Sequence, residues 1–495
     1  MLSILGPAGG LCDRASRRQL LTVGSLSFVG MSLPQLLRSQ AAAGGIDSVR
    51  PGFGRADSVL MIYLQGSPSH IDLWDPKPAA PAEIRGEFRP IASRVPGMEL
   101  GEVLPLLAGE ADKFTLVRSC GVKPKGLRNH GSSIYMLLTG HDPGNFSPTG
   151  LAVPPSREDL PSVGSVVSRY RPSPHGGFGY VSLCGPVREG AVTGVGQAAG
   201  LLGAACDPFT MYDDPTAPLK LDALTLQAGV SSDRLQQRVD LRRAITEQLA
   251  RTQSPNRQLS FDSLPPTSDS TQSFDAYYGQ ALSLIQQDRA VRAFRLEEES
   301  ANLRDAYGRT RFGQSCLLAR RLIEAGTRFV QVTWPAGSDT EPVGGPDGSW
   351  DTHRNNFPML RDHRCPVFDR TMSTLLSDMH SRGLLDRTLV VAVGEFGRSP
   401  QIGVATTDNV GPGGRDHWPE CYTFLITGGG VKPGRVYGES DRYGAFPKTD
   451  PVHPYDLICT IHHALGIDPA TEYRDTLNRP RRLTDHGEPI LGLFA

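Results

Sequence analysis

Ser58-Val-Leu-Met-Ile-Tyr-Leu64, running straight into Gln65-Gly66-Ser67, decides the fold. The run is apolar without alternation, so it reads as a strand covered on both faces, and such strands belong to parallel sheets. Its end opens into a Gly/Ser/Pro loop. Four further stretches read the same way: Phe114–Ser119, Arg328–Trp334, Thr388–Val393 and Tyr422–Thr427. Between and after them lie helix-like segments, each followed by a glycine stop. These are His130–Leu138 before Gly140, Arg311–Ala325 before Gly326, Phe368–Arg382 before Gly383 and Tyr455–Leu465 before Gly466. Helices alternating with apolar strands predict an α/β fold with a mainly parallel central sheet flanked by helices. In such sheets ligands bind beyond the carboxyl ends of the strands.

Composition narrows the field. The chain has 495 residues, with 51 Lys+Arg against 52 Asp+Glu, a net charge of −1. That balance argues against nucleic acid as a partner, and no basic patch with interleaved aromatics occurs. Gly (55) and Pro (40) are abundant but follow no G-x-y period, which excludes collagen and suggests a loop-rich fold. Eight Cys without a C-x-x-C pair offer neither a zinc ribbon nor a thioredoxin-type motif.

The first 43 residues read as an address. Ser16-Arg17-Arg18-Gln19-Leu20-Leu21 precedes a mildly apolar run, Thr22–Leu37, and Ala41-Ala42-Ala43 supplies a small-x-small site. This resembles a twin-arginine (Tat) export signal, with the Tat machinery as partner and a periplasmic or extracellular destination. The run is too polar and too short for a stable membrane span. Cleavage would follow Ala43; the alternatives are an amphipathic N-terminal helix or an uncleaved anchor. Cleavage would remove four Arg and one Asp and take the net charge from −1 to −4. Residues 44–495 form the main domain. Within it, about 230–300 reads as a helical insertion with a Ser/Pro/Asp-rich linker, Ser254–Ser273.

Loops after the expected strands concentrate His, Asp and Glu: His70 and Asp72; Asn129-His130-Gly131-Ser132-Ser133; Asp351-x-His353; Glu395 and Arg398; Asp416-His417. A divalent ion needs carboxylate oxygens and imidazole nitrogens converging from separate segments, and strand ends of one sheet supply that convergence. Glu395 ends an apolar strand, so its carboxylate must be paired, hydrated or metal-bound. A lone loop histidine is usually surface decoration, and Asp72 or Asp416 could merely cap a turn.

These residues resemble the alkaline phosphatase/sulfatase superfamily. More closely, the chain is similar to an uncharacterised branch of Tat-exported bacterial proteins, a domain of unknown function. That likeness covers almost the whole chain through Gln65–Asp72, Asp75-Pro-Lys-Pro78, Glu83–Phe88, His130-Gly-Ser-Ser133, Leu138-Thr-Gly140, Phe312-Gly-Gln314, Trp350-Asp-Thr-His353, Gly394–Arg398, Gly414–Trp418 and Gly428-Gly-Gly430. His130–Gly140 resembles the sulfatase stretch that starts with the nucleophile. Yet His130 stands where a formylglycine precursor would, and Cys-x-Pro-x-Arg occurs nowhere, so formylglycine chemistry is not expected. Glu395-Phe396 stands for the superfamily's Asp-His, and Gln65-Gly66 for its tandem Asp.

The resulting expectation is an exported metal-dependent hydrolase of a phosphate or sulfate ester, carried on a small molecule or a glycan. The ion would be Zn, Ca or Mg. Its expected ligands are Asp351, His353, Glu395, Asp416 and His417, with His70 and Asp72 as further candidates. Ser132 or Ser133 would act as nucleophile or bind the anion. His130 would be general acid/base or another ligand, and Arg398 would hold the substrate anion. The alternative is a non-catalytic exported protein of the same fold that binds sulfated or phosphorylated glycans.

Overall fold

The computed structural model describes residues 50–122, 128–143, 154–174, 177–189, 192–219, 288–334, 349–407, 410–475 and 478–494, with scattered positions between 234 and 248. The twin-arginine segment, its cleavage site and most of the expected helical insertion lie outside the described residues. The chain falls into two compact units, Met1–Phe53 and Gly54–Ala495. In the first, Arg50–Phe53 form a turn closed by the Phe53 amide on the Arg50 carbonyl (3.1 Å).

The second unit is built on an eight-stranded sheet: β1 (Ser58–Tyr63), β2 (Thr115–Cys120), β3 (Tyr180–Leu183), β4 (Phe209–Met211), β5 (Phe329–Thr333), β6 (Thr388–Val393), β7 (Tyr422–Thr427) and β8 (Arg435–Tyr437). The spatial order is β8-β2-β7-β6-β1-β5-β3-β4. The expected mainly parallel α/β architecture is what forms. β1 pairs in parallel with β6 and β5, β3 with β5 and β4, and β2 with β8. Only β7 is reversed, lying antiparallel to both β6 and β2.

Side chains alternate across the sheet and feed two cores. Val59, Met61 and Tyr63 of β1 join Leu389, Val391 and Val393 of β6 on one face. Leu60 and Ile62 join Val390, Ala392, Val330 and Val332 on the other. Among the described residues, five helices of eight residues or more flank the sheet: α1 (His130–Thr139), α2 (Val163–Tyr170), α3 (Arg311–Glu324), α4 (Cys365–Ser381) and α5 (Pro454–Ala464). α1, α2 and α5 cover the first face through Leu137, Val166 and Ile461. α3 and α4 cover the second through Phe312, Leu317, Phe368 and Leu376. Burying each such side chain contributes about 1.5–3 kcal/mol, so a strand apolar on both faces is held by both layers.

The five strands expected from the sequence form within a residue or two of their expected limits. β3, β4, β8 and α2 were not anticipated. The three strands have only three or four residues each, too few to display a period. The glycine stop expected for α1 forms, with Gly140 closing the helix at φ 74°, and at its other end the Asn129 side chain accepts from the Ser132 amide (2.8 Å).

Candidate metal centre

Strand direction gathers the polar loops. The carboxyl ends of β1, β2, β5 and β6 lead to Gly66, His130, Asp351 and Glu395. β7 is reversed, so its amino end lies at the same edge and carries Asp416-His417. A two-stranded ribbon locks this last segment in place, pairing Gly397 with Trp418 and Arg398 with His417. Gly66 is obligatory here. Its φ is +90°, and a Cβ would come within 2.5 Å of the Asp351 amide nitrogen. Ser67 next to it holds φ 62°, a left-handed conformation costly for a non-glycine residue. Its Oγ accepts from the Phe396 amide (3.0 Å) and its carbonyl from Arg398 Nε (3.0 Å), so tertiary bonds impose the conformation.

His130, Asp351, His353 and His417 converge: one ligand atom from each lies within 4.8 Å of all the others. Asp351 Oδ1 is 2.9 Å from His353 Nε2 and 3.3 Å from His417 Nε2, while its Oδ2 is 3.3 Å from His130 Nε2. The two Nε2 atoms of His353 and His417 are 2.9 Å apart. His130 Nε2 is near Asp351 but not aligned for a hydrogen bond, and it is a buried polar atom without a partner. Three imidazoles and one carboxylate suit a borderline divalent ion such as zinc better than the all-oxygen shells of calcium or magnesium.

Other groups fix the rings. His417 Nδ1 donates to the Arg128 carbonyl (2.8 Å), which leaves the Nε2 lone pair facing the cluster. Glu395 accepts from His130 Nδ1 (2.6 Å) and from the Gly66 amide (3.0 Å) through Oε1. This is the arrangement of a carboxylate that backs a metal-binding histidine. Asp416 lies behind His353, 3.4 Å from its Nδ1, and accepts from the amides of Thr406, Thr407 and His417 and from the Thr407 hydroxyl. The Phe396 ring packs beside His130 and His417, with centroids 4.9 and 4.7 Å away.

Charges are strongly coupled. Burial opposes charge on Asp351, but Arg398 (2.5 Å) and the surrounding histidines hold its carboxyl well below the usual range. Burial alone would lower His130, yet the Asp351 and Glu395 carboxylates outweigh it and push it up to about 10. His417 is drawn down to about 4, first by burial and then by the charge of His130. For Asp416, burial is outweighed by the Thr407 hydroxyl and the neighbouring amides, which hold it below the ordinary carboxylate range.

His70 and Asp72 fall outside the cluster, while Arg398, Ser132 and Ser133 border it. His70 Nε2 is 2.8 Å from the Gly444 carbonyl oxygen. Asp72 binds Arg415 bidentately, at 2.7 and 2.9 Å, and accepts from Asn356 Nδ2 (2.8 Å). Arg398 is fully buried; besides Asp351 it serves the carbonyls of Ser67, Gly66 and Arg415. Ser132 and Ser133 are buried in the first turn of α1, beside His130 in sequence. Sequence reasoning gave no role to Ser67, Arg128, Asn129 or Phe396. Asn129 carried a legible signal, an N-cap residue directly before a helix. Arg128 acts through its backbone carbonyl, which sequence does not advertise.

A family described as a protein of unknown function, DUF1501, matches residues 56–494. No curated protein matches the chain. Among solved structures, the PsFucS1 sulfatase from Pseudoalteromonas sp. is similar at 13% identity and TM-score 0.36, over 88% of this chain and 72% of that one. The phosphonate monoester hydrolase SpPMH from Silicibacter pomeroyi matches at 13% identity and TM-score 0.36, over 88% and 76%. A protein in the alkaline phosphatase superfamily from Vibrio parahaemolyticus matches at 11% identity and TM-score 0.36, over 84% and 68%.

Proposed function

Since the chain belongs to the DUF1501 family, whose description assigns no activity, we propose from the site itself that it is a divalent-metal hydrolase of phosphate or sulfate esters. The observation that carries this reading is the convergence of His130, Asp351, His353 and His417 at the carboxyl edge of the sheet. A divalent ion there would polarise an ester oxygen and lower the pKa of a water molecule. The chain's own groups do the rest. Glu395 keeps a proton on His130 Nδ1 and turns Nε2 inward, the Arg128 carbonyl does the same for His417, and the Asp416 carboxylate stands 3.4 Å from His353 Nδ1 without a hydrogen bond to it. Arg398 offsets the Asp351 charge from behind. In this reading Glu395 and Asp416 are positioning residues, zinc is the favoured ion, and water is the nucleophile.

Metal analysis of the purified protein tests the proposal, together with assays on 4-nitrophenyl phosphate, 4-nitrophenyl sulfate and bis(4-nitrophenyl) phosphate. Bound zinc near one equivalent is expected, with hydrolysis lost in His353→Ala and retained in Ser132→Ala and Ser133→Ala. Protein that neither retains zinc nor hydrolyses any ester after zinc addition would overturn the reading. The same proposal reads Arg17-Arg18 as part of an export signal, which would put the activity outside the cytoplasm. An Arg17→Lys/Arg18→Lys double variant should then accumulate inside the cell, and unchanged export would contradict it. Among the described residues no helix is long and apolar enough to cross a membrane.

A further inference from the structure

A polar cavity of about 440 Å³ opens where β2, β8 and the 439–449 hairpin meet, and no residue of the metal cluster lines it. Its volume falls within the about 300–1,000 Å³ of small-molecule sites. The lining divides by depth. The side chains of Asp75, Lys77 and Arg118 are 2, 15 and 14% exposed, whereas Glu439 and Asp450 belong to the surface. Asp75 is the one carboxylate of the buried wall, and it is shared. Lys77 Nζ donates to its Oδ1 (2.9 Å), the Ser440 hydroxyl donates to Oδ2, and Arg118 Nε lies 3.5 Å from Oδ1. Arg118 Nη2 donates to the Glu99 carbonyl (2.8 Å), but its buried Nε donates to nothing. Burial holds the Arg118 guanidinium below its ordinary pKa, and Asp75 and Glu99 do not make up the difference. The buried wall thus carries two cations against one carboxylate. The rim has the opposite sign: Glu439 and Asp450 stand against a single exposed cation, Lys448, 2.9 Å from Glu439. The backbone fixes this shape. Gly438 holds φ 64°, and a Cβ there would meet Ser119 Oγ at 2.0 Å. The same hydroxyl donates to the Asp450 carbonyl (2.6 Å), and Asp450 keeps φ 43°, a left-handed conformation unusual for a residue with a side chain.

We propose that this cavity is a second ligand site, for a free amino acid, whose carboxylate meets Arg118 and Lys77 and whose ammonium group faces Glu439 and Asp450. An excess charge held out of water is costly until a counter-charge reaches it, and a carboxylate is the natural partner of a guanidinium with an unused N–H. A purely anionic ligand would have to pass and sit beneath the acidic rim. A purely cationic ligand would meet the excess positive charge of the buried wall. A small zwitterion satisfies both ends at once. The site stands apart from the hydrolase reading, because it shares no residue with the metal cluster.

The test is calorimetric titration of the full chain with each of the standard free amino acids, then with the N-acetyl and carboxamide forms of the tightest binder, and with inorganic phosphate. At least one free amino acid should bind, and each blocked form should bind about tenfold more weakly, since each loses one charge-assisted contact. Arg118→Gln should weaken binding by a similar factor. Because Arg118 is built into β2 and that variant could fail to fold, Lys77→Met and Asp450→Asn serve beside it. Lys77 lies at the cavity surface, and asparagine tolerates the left-handed backbone at 450. Both should weaken binding with metal content and ester hydrolysis unchanged. Binding of no free amino acid, equal binding of the N-acetyl form or of inorganic phosphate, or affinity indifferent to both Lys77→Met and Asp450→Asn would overturn the site.

Discussion

Asp72 and Arg415 provide the sharpest test of how this edge of the molecule is built. Both are fully buried, and the pair is bidentate at 2.7 and 2.9 Å. Asn356 donates to the same carboxylate, while Arg415 also serves the carbonyls of Ser399, Pro400 and Ile84. Among the described residues Asp72 is the one carboxylate paired with the Arg415 guanidinium, which has no route to water, and Asp72→Ala would remove it. Breaking such a pair from one side typically costs about 3–5 kcal/mol, much of it the penalty of the charge left behind. Asp72→Asn keeps one acceptor oxygen and should lose less. Urea unfolding, followed by intrinsic fluorescence with the m-value checked for constancy, measures both. Zinc content should be unchanged in whatever fraction is folded, because Asp72 belongs to a structural pair. An Asp72→Ala protein of unaltered stability that has lost its zinc would refute this reasoning and make Asp72 a ligand.

Glu395→Gln should retain the fold but weaken zinc by about 10–100-fold, because the amide no longer holds His130 Nδ1–H as a carboxylate does; competition with a chromophoric chelator reads this. Zinc loading should release protons and strengthen as pH rises towards about 10, since His130 must give up the proton it holds in the metal-free protein; affinity independent of pH would contradict it. In the metal-free chain, His130 has a folded pKa raised above its unfolded value of 6.5, so its stabilisation is complete below pH 6.5 and fades as pH approaches 10. His462 behaves in the opposite sense. Burial, then His141, lowers it to about 3, and neither ring nitrogen has a hydrogen-bond partner. Its unfolded form binds the extra proton, so stability should fall as pH drops from 6.5 towards 3, and His462→Phe should flatten that limb of the acid unfolding curve.

Sequence carried most of the sheet because β1, β6 and β7 are long enough to show apolar character on both faces. β3, β4 and β8 escaped notice because neighbouring strands supply their burial, and nothing within Tyr180–Leu183, Phe209–Met211 or Arg435–Tyr437 signals it. The Asp351-x-His353 and Asp416-His417 pairs drew attention to loops that the structure brings together. Whether each carboxylate meets the metal or supports a ligand depends on the direction of a single side chain. Glu395 points into the back of His130, and Asp416 is enclosed by the amides of Thr406 and Thr407, residues that no motif connected to it. Arg398 reads as an anion receptor because guanidinium pairs with oxyanions; in the structure the oxyanion it meets is the Asp351 carboxylate, and the Ser67 turn offers it backbone carbonyls as well.

The reversal of β7 has a consequence for how the centre comes into being. Arg128 and His417 are in hydrogen-bond contact although 289 positions separate them in the chain. That contact needs β7 threaded between β2 and β6, a late event wherever long loops must close first. A chain that ended ahead of His417 would hold three of the four converging residues. Were the cluster to take up an ion as proposed, its retention would report completed topology, and an ion that bound only the finished sheet would add its binding energy to the stability of the unit.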